Sequence, residues 1–194
     1  MSLPRRDDAH HTYGEYYQWT DDTRYELIDG VAYAMAPAPT RIHQEVLLEL
    51  ARQVANALLD HSCKAFIVPF DVRLPKADEA DEMVDTVMQP DLSVVCDPGK
   101  LDERGCRGAP DWIVEVLSPA TAGHDHIRKR AVYERAGVRE YWLVHPVDRI
   151  VAVYRLRDGH YGAPEVRELE GQQAVDVLPQ VEIDWNRFTD LFES

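Results

Sequence analysis

The stretch Asp111-Trp112-Ile113-Val114-Glu115-Val116-Leu117 decides the fold class. Its continuous apolar run predicts a strand that is buried on both faces, as in the centre of a sheet covered by helices. A charged side chain in such a strand is costly unless it is paired with another charge or bound to a metal ion. Glu115 is therefore the first candidate for a functional residue, although a position at a strand edge would make it an ordinary solvated acid.

A second acid, Asp91, stands at the start of another apolar strand, Leu92-Ser93-Val94-Val95. If this strand and the strand of Glu115 are antiparallel neighbours, the start of one lies beside the end of the other, and the carboxylates come close. A one-residue slip would put them on opposite faces, and an Asp at a strand end is often merely solvated. Close carboxylates repel unless a proton or a cation intervenes. The pair therefore predicts a Mg²⁺ site that could activate water for phosphodiester hydrolysis.

Outward from these strands, the chain predicts an α/β domain with a hairpin and a long helix near its start. Tyr25–Ile28 and 31–35 flank Asp29-Gly30, a dipeptide typical of two-residue hairpin turns. Pro37 and Pro39 end this hairpin, and Thr40 then stands where a helix N-cap belongs. The helix itself is predicted from apolar residues that recur every four positions, at Ile42, Val46, Leu50, Val54 and Leu58.

The rest of the chain predicts further strands, loops and two shorter helices. A short helical segment is expected at 13–19 and helices at 124–136, ended by Gly137, and at 185–192. Flexible or turn-rich loops are expected at 76–85 and 97–108. Strands are expected at 65–68, 70–74, 140–144, 150–156 and 166–169.

Length and composition predict one soluble, cytoplasmic domain at 13–194, preceded by a flexible tail at 1–12. No apolar run approaches the roughly 20 residues that cross a bilayer. The three cysteines, Cys63, Cys96 and Cys106, are too few and too widely spaced for a disulfide framework or a zinc site, so reduced thiols are expected. The net charge of −14 argues against a broad electrostatic grip on DNA.

Four segments carry a family resemblance: Tyr-Glu-Leu-Ile-Asp-Gly at 25–30, Gln-Pro-Asp at 89–91, Glu-Val-Leu-Ser-Pro-Ala-Thr at 115–121 and Gly-Val-Arg-Glu-Tyr-Trp-Leu-Val at 137–144. Their order and spacing resemble the Uma family, described as "putative restriction endonucleases", in the PD-(D/E)XK nuclease superfamily. The resemblance implies a restriction-endonuclease-like core, in which a central mixed β-sheet is flanked by α-helices. It also implies an endonuclease that cleaves DNA with Mg²⁺ or Mn²⁺.

The resemblance assigns Asp91 and Glu115 to the metal and Glu26 to a further metal contact, although Glu26 could equally be the polar side of an exposed hairpin. The superfamily motif has a lysine two residues after its second acid, where this chain has Leu117. The resemblance suggests Lys129, on the following helix, as the replacement. Lys129 could reach back to the metal site, or it could be solvated on a basic helix.

Substrate contacts are expected from His43, Gln89, Arg128 and Arg130. His43 could contact a catalytic acid or the substrate, or could be a structural residue at a helix start. Gln89 belongs to the motif around Asp91 and could line the site. The arginines belong to the densest positive cluster of the chain, which could contact phosphates or form a solvated helix face: Arg128, Lys129, Arg130, Arg135 and Arg139.

Two functions remain open from the sequence. The first is a Mg²⁺-dependent endodeoxyribonuclease, expected as a homodimer because duplex DNA has two strands to cut. The second is a nuclease-fold protein without catalysis that binds nucleic acid or protein. Leu117 and the net charge of −14 favour the second function.

Overall fold

The computed structural model describes residues 5–35, 39–118 and 125–192, with the backbone alone at 125 and 126. The earlier predictions that involve Pro37, residues 119–121 and His124 lie outside these ranges. The helices are α1 Tyr13–Tyr16, α2 Arg41–Ala57, α3 Asp125–Ala136 and α4 Thr189–Phe192. The strands are β1 Tyr25–Ile28, β2 Val31–Ala34, β3 Lys64–Ile67, β4 Val72–Arg73, β5 Val87–Met88, β6 Leu92–Val95, β7 Leu101–Asp102, β8 Gly105–Arg107, β9 Trp112–Val116, β10 Glu140–His145, β11 Ile150–Arg157, β12 His160–Tyr161, β13 Glu165–Glu168, β14 Gln172–Val175 and β15 Leu178–Asp184.

The central sheet has the strand order β12-β11-β10-β9-β6-β3, with β13 also paired to β11. β9 and β10 run parallel, whereas β6 runs antiparallel to β9, so the sheet is mixed. All five residues of β9 are buried, as its apolar run predicted. α2 packs with Trp112 and Val114 on one face, while α3 packs with Ile113 and Leu117 on the other. The predicted mixed sheet flanked by helices is therefore confirmed.

α2 follows the predicted apolar repeat, because its buried positions are His43, Val46, Leu47, Leu50 and Val54. The Thr40 side chain accepts a hydrogen bond from the His43 backbone N–H, as expected of an N-cap. The helix therefore begins with His43 in its first turn, facing the sheet. This helix start determines where the His43 imidazole lies.

The predicted hairpin is confirmed, and it belongs to a second sheet with the strand order β2-β1-β5-β4-β8-β7. Asp29 and Gly30 have φ of 48° and 78°, the left-handed conformation that a tight hairpin turn requires. The loops expected at 76–85 and 97–108 are more ordered than predicted. The first contains a 3₁₀ turn at Asp81–Met83, and the second contains β7 and β8.

Residues 5–12 lie against the hairpin rather than in a free tail. The Arg6 N–H donates to the Ala32 carbonyl at 3.0 Å, and the His11 N–H donates to the Gly30 carbonyl at 2.8 Å. The Arg6 guanidinium also lies 4.0 Å from the ring centre of Trp19. The polar composition of this segment concealed these contacts, because they are made largely by its backbone. The domain limits at 13–194 stay a prediction.

The expectation of three reduced thiols is wrong, because Cys63 and Cys96 form a disulfide. β3 and β6 are antiparallel neighbours with Lys64 opposite Val95, so the next pair outward is Cys63 and Cys96. Sequence spacing could not reveal this pair, because their proximity depends on strand register. Cys106 is a buried free thiol whose pKa is raised to about 11 by burial.

The C-terminal part covers the α2 side of the central sheet. β14 and β15 form an antiparallel pair whose Val175, Leu178 and Ile183 join the apolar core beside α2. The helix expected at 185–192 is present as a 3₁₀ turn followed by α4, and the Asp184 side chain caps it by accepting from the Asn186 N–H. Among the residues described, no helix is both long and apolar enough to cross a bilayer.

Candidate active site

Asp91 and Glu115 meet where β6 begins and β9 ends. The antiparallel register sets Leu92 opposite Val114, so positions 91 and 115 are the next opposed pair. The Val116 N–H donates to Asp91 Oδ2 at 2.8 Å, which ties this carboxylate to the end of β9. The sequence argument therefore identified the correct neighbouring strands and directions, and the register brings the two acids together.

Lys129 reaches from α3 to the buried acids. Its Nζ lies 3.0 Å from Glu115 Oε1 and 3.0 Å from Glu26 Oε1. All three side chains are largely buried, with 13% of Lys129, 8% of Glu115 and 4% of Glu26 exposed. Glu26 is therefore not on an exposed hairpin face, and Lys129 is not solvated. Leu117 belongs to the apolar core on the α3 side of the sheet.

The charges in this cluster do not balance. Burial raises the pKa of Glu115 to about 7; the Lys129 charge opposes this shift, and the nearby Asp91 and Glu26 carboxylates add to it. Burial disfavours the charge of Lys129, but the carboxylates of Glu115, Glu26 and Asp91 outweigh it and raise the Lys129 pKa. Lys129 is therefore charged at neutral pH. Three acids around one lysine leave a surplus of negative charge, which protonation of His43 beside Asp91 would offset in part.

Two further residues hold this cluster in place, one through its side chain and one through its backbone. His43 Nε2 lies 3.2 Å from Asp91 Oδ2, and burial of the imidazole is outweighed by the Asp91 carboxylate, so the His43 pKa is raised. The Gln89 N–H donates to Glu26 Oε1 at 2.9 Å. The Gln89 amide nitrogen is directed elsewhere, to Asp71 Oδ1 at 2.9 Å and the Tyr16 hydroxyl at 3.0 Å.

Comparison with known proteins agrees with this arrangement. Residues 13–186 match the model of the Uma2 family, whose description is "Putative restriction endonuclease". This chain belongs to the Uma2 family. The family resemblance seen in the sequence is thereby confirmed, and the nuclease class follows from the family and the fold together.

Two relatives extend the comparison. An "Uncharacterized protein slr1290" of Synechocystis is 28% identical to this Uma2 chain over an alignment of 178 residues. The match covers 84% of this chain and 88% of the relative. The crystal structure of a "putative nuclease belonging to DUF820" from Anabaena variabilis superposes with a TM-score of 0.73 at 20% identity. The match covers 93% of this chain and 98% of that one. At this identity the likeness supports the restriction-endonuclease-like fold alone.

Restriction-endonuclease-like families such as Uma2 generally use divalent metals, and the donors present fit one. Among the residues described, no three His, Cys, Asp or Glu side chains form a finished metal site. Mg²⁺ nevertheless needs only one or two carboxylates, with water and substrate phosphate as its other ligands. Asp91 and Glu115 supply such oxygens, and a cation would offset the Asp91 and Glu26 charges, which add to the effect of burial on the Glu115 pKa.

The basic residues of this Uma2 chain do not form one continuous phosphate-binding face. The Arg128 guanidinium lies 4.9 Å from the ring centre of Tyr33, the strand partner of Glu26. Arg130 donates to the Tyr161 carbonyl at 3.1 Å. The ion pairs Arg135–Asp29 and Arg139–Asp111 engage the other two arginines. Of the cluster, Lys129 contacts the acids, while Arg128 lies over Tyr33, the strand partner of Glu26.

Sequence reasoning assigned no role in the site to Tyr133 or Asp71. The Tyr133 hydroxyl donates to Glu115 Oε1 at 2.7 Å. Its position four residues after Lys129 was a usable signal, because such residues share a helix face. Asp71 offered no comparable signal, since it reaches the site through the Gln89 side chain.

Proposed function

We propose that this chain is a metal-dependent endodeoxyribonuclease that hydrolyses phosphodiester bonds in DNA. The observation that carries the proposal is the convergence of Asp91, Glu115 and Lys129 from three elements, with Lys129 Nζ 3.0 Å from Glu115 Oε1. The Uma2 family and the nuclease fold support the nuclease class. DNA as the substrate, and Mg²⁺ or Mn²⁺ as the cofactor, belong to the proposal.

Asp91 and Glu115 would hold the cation, with Glu26 as a further acid beside Lys129. When bound, Mg²⁺ or Mn²⁺ would supply Lewis acidity at the phosphate and lower the pKa of a bound water. The carboxylates fit this role because they are oxygen donors in surplus over the nearby positive charge.

The protein's own groups contribute positioning and positive charge. Lys129 stabilises the negative charge that develops on the phosphoryl oxygens, or orients the attacking water, from a site largely shielded from solvent. His43 holds the Asp91 carboxylate against the end of β9. Gln89 orients Glu26 through its backbone N–H.

Substrate binding is assigned first to Arg128, beside Lys129 and over the Tyr33 ring. Its guanidinium would contact a backbone phosphate adjacent to the scissile one. Arg130 is a weaker candidate, because it already donates to the Tyr161 carbonyl and lies 3.6 Å from Glu134.

Plasmid cleavage tests the proposal. Wild type is expected to cut supercoiled DNA with Mg²⁺ or Mn²⁺ and not in EDTA. Asp91→Asn should lower the rate at least about 100-fold, because loss of metal-based stabilisation is worth several kcal/mol. Asp60→Asn is the matched control, since Asp60 is an exposed acid after α2. Equal cleavage by wild type and Asp91→Asn would contradict the proposal.

A second candidate is a nuclease-fold binding module without catalysis. Leu117 in the motif position of the lysine, together with the net charge of −14, favours it. Cation binding and DNA binding by wild type, with no cleavage of any substrate, would select this function. The homodimer and the cytoplasmic location also remain predictions, and sedimentation with and without duplex DNA tests the first.

A further inference from the structure

Tyr133 lies at the back of the candidate site. It is on α3, four residues after Lys129, so the helix directs both side chains towards β9. The side chain is fully buried, and its hydroxyl donates to Glu115 Oε1 at 2.7 Å. A buried hydroxyl could equally have bonded to a backbone carbonyl, as the Tyr161 hydroxyl does with Val138 at 2.7 Å.

The hydrogen bonds to Glu115 are one-sided. Among the described residues, the donors to its carboxylate are Lys129 Nζ and the Tyr133 hydroxyl, and both end on Oε1. Two donors on one oxygen fix the rotation of a carboxylate, which is otherwise a soft torsion. The remaining oxygen, Oε2, then has a defined direction.

The Tyr133 hydroxyl is itself rigidly held. Its ring packs edge-on against Tyr141 with centroids 5.1 Å apart, and Tyr141 stacks on Tyr154 at 5.7 Å. A tyrosine hydroxyl carries its proton at neutral pH, so it donates to Glu115 throughout the neutral range.

We propose that Tyr133 is a positioning residue that fixes the Glu115 carboxylate so that Oε2 is left to bind the cation. The inference rests on the proposed metal-dependent function and adds to it a residue that touches neither substrate nor metal. Hydrogen bonds to a ligating carboxylate typically change metal affinity 10- to 100-fold when they are lost.

Mn²⁺ binding to the full chain tests this inference without requiring cleavage. Free Mn²⁺, measured by its paramagnetic resonance signal, gives the Kd for wild type, Tyr133→Phe and Tyr161→Phe. Both variants remove one buried hydroxyl donor from the same aromatic cluster, and the rings remain. Tyr133→Phe is expected to weaken Mn²⁺ binding about 10-fold, whereas Tyr161→Phe should stay within about twofold of wild type. Thermal unfolding of both variants serves as the control for folding.

The Mg²⁺ dependence of plasmid cleavage supplies a second readout. For Tyr133→Phe, half-maximal cleavage should require about 10-fold more Mg²⁺, while the rate at saturation recovers most of the wild-type value. Equal Mn²⁺ affinity of the two variants overturns the positioning role and leaves the proposed function standing. A wild type that binds no Mn²⁺ overturns both, so the two failures are distinguishable.

Discussion

At the scale of single residues, Glu115 occupies a costly position for a carboxylate. It lies in a strand that is buried on both faces, and its pKa is raised to about 7 by burial, with the Asp91 and Glu26 charges adding to the shift. Lys129 and Tyr133 compensate part of this cost. A buried carboxylate with a strongly shifted pKa is typical of a functional site.

The stability of Glu115→Gln should depend on pH. The folded-state pKa of Glu115, about 7, lies above the usual 4.5, so ionisation between these values destabilises wild type as the pH rises. The neutral variant escapes this loss. Without divalent cations, Glu115→Gln should match wild type near pH 5 and exceed its Tm by a few degrees at pH 8, roughly 1 kcal/mol or more.

The control for this prediction is Glu182→Gln, an exposed position in β15. It should change the Tm little and by the same amount at both pH values. A Glu115→Gln variant whose Tm difference from wild type is the same at pH 5 and pH 8 would contradict the assigned shift. Mg²⁺ should reverse the order by stabilising wild type alone.

The sequence predicted the individual acids better than their partners. The site at Asp91 and Glu115 was predicted from two apolar strands on the assumption that they are antiparallel neighbours. β6 and β9 pair in this way. The Glu26–Lys129 contact joins residues from the hairpin and α3. A pattern of neighbouring residues in the sequence cannot predict a contact between such distant segments. The Cys63–Cys96 disulfide depends in the same way on the register of β3 against β6.

At the scale of elements, α2 links helix capping to the candidate site. Thr40 accepts from the His43 N–H at 3.4 Å, and the His43 side chain lies 3.2 Å from Asp91 Oδ2 one turn into the helix. The start of the helix thus sets both the first backbone hydrogen bonds and the position of the imidazole. Disorder in this first turn of α2 should therefore displace His43 and disturb the position of the Asp91 carboxylate.

Thr40→Ala removes the capping oxygen and should destabilise the protein by about 1 kcal/mol. Urea unfolding measures this loss as a lower midpoint at an unchanged slope. Thr40→Ser keeps the hydroxyl and should remain close to wild type. If alanine and serine unfold at the same midpoint, the Thr40 cap has no energetic importance.

Element length decided which elements could be predicted. The 17-residue α2 and the six-residue β10 carry enough periodic positions to be recognised. The two-residue strands β4, β5 and β7 carry none, and their pairing is decided by neighbours distant in sequence. β14 and β15 were missed although they complete the core, because Gly171, Pro179 and several polar residues mask their alternation.

At the scale of the whole molecule, charge limits how the protein can hold DNA. The net charge is −14, and Arg135 and Arg139 form ion pairs with Asp29 and Asp111. Nonspecific affinity comes from Lys and Arg that neutralise phosphates and release counterions. The proposed nuclease should therefore contact few phosphates and bind DNA weakly on its own.

Duplex DNA binding in EDTA should weaken only mildly with salt. The slope of log K against log salt is expected on the order of −2 to −3, which corresponds to two or three phosphate contacts. Arg128→Ala should reduce the slope by about 1. Arg139→Ala, which removes a paired arginine on the loop before β10, should leave it unchanged. A slope steeper than about −6 would reveal a basic surface that the fold does not suggest.

The position of Lys129 on α3, rather than on the strand of Glu115, also affects how relatives of this protein can be identified from sequence. The acid and the lysine are 14 positions apart in sequence but in contact through space, so insertions and deletions between them need not separate the two groups. Leu117 needs no polar function and packs in the apolar core. A pattern search that demands a lysine two residues after the acid would discard this chain. Relatives of this chain are better compared by spatial equivalence, with positions 117 and 129 considered together.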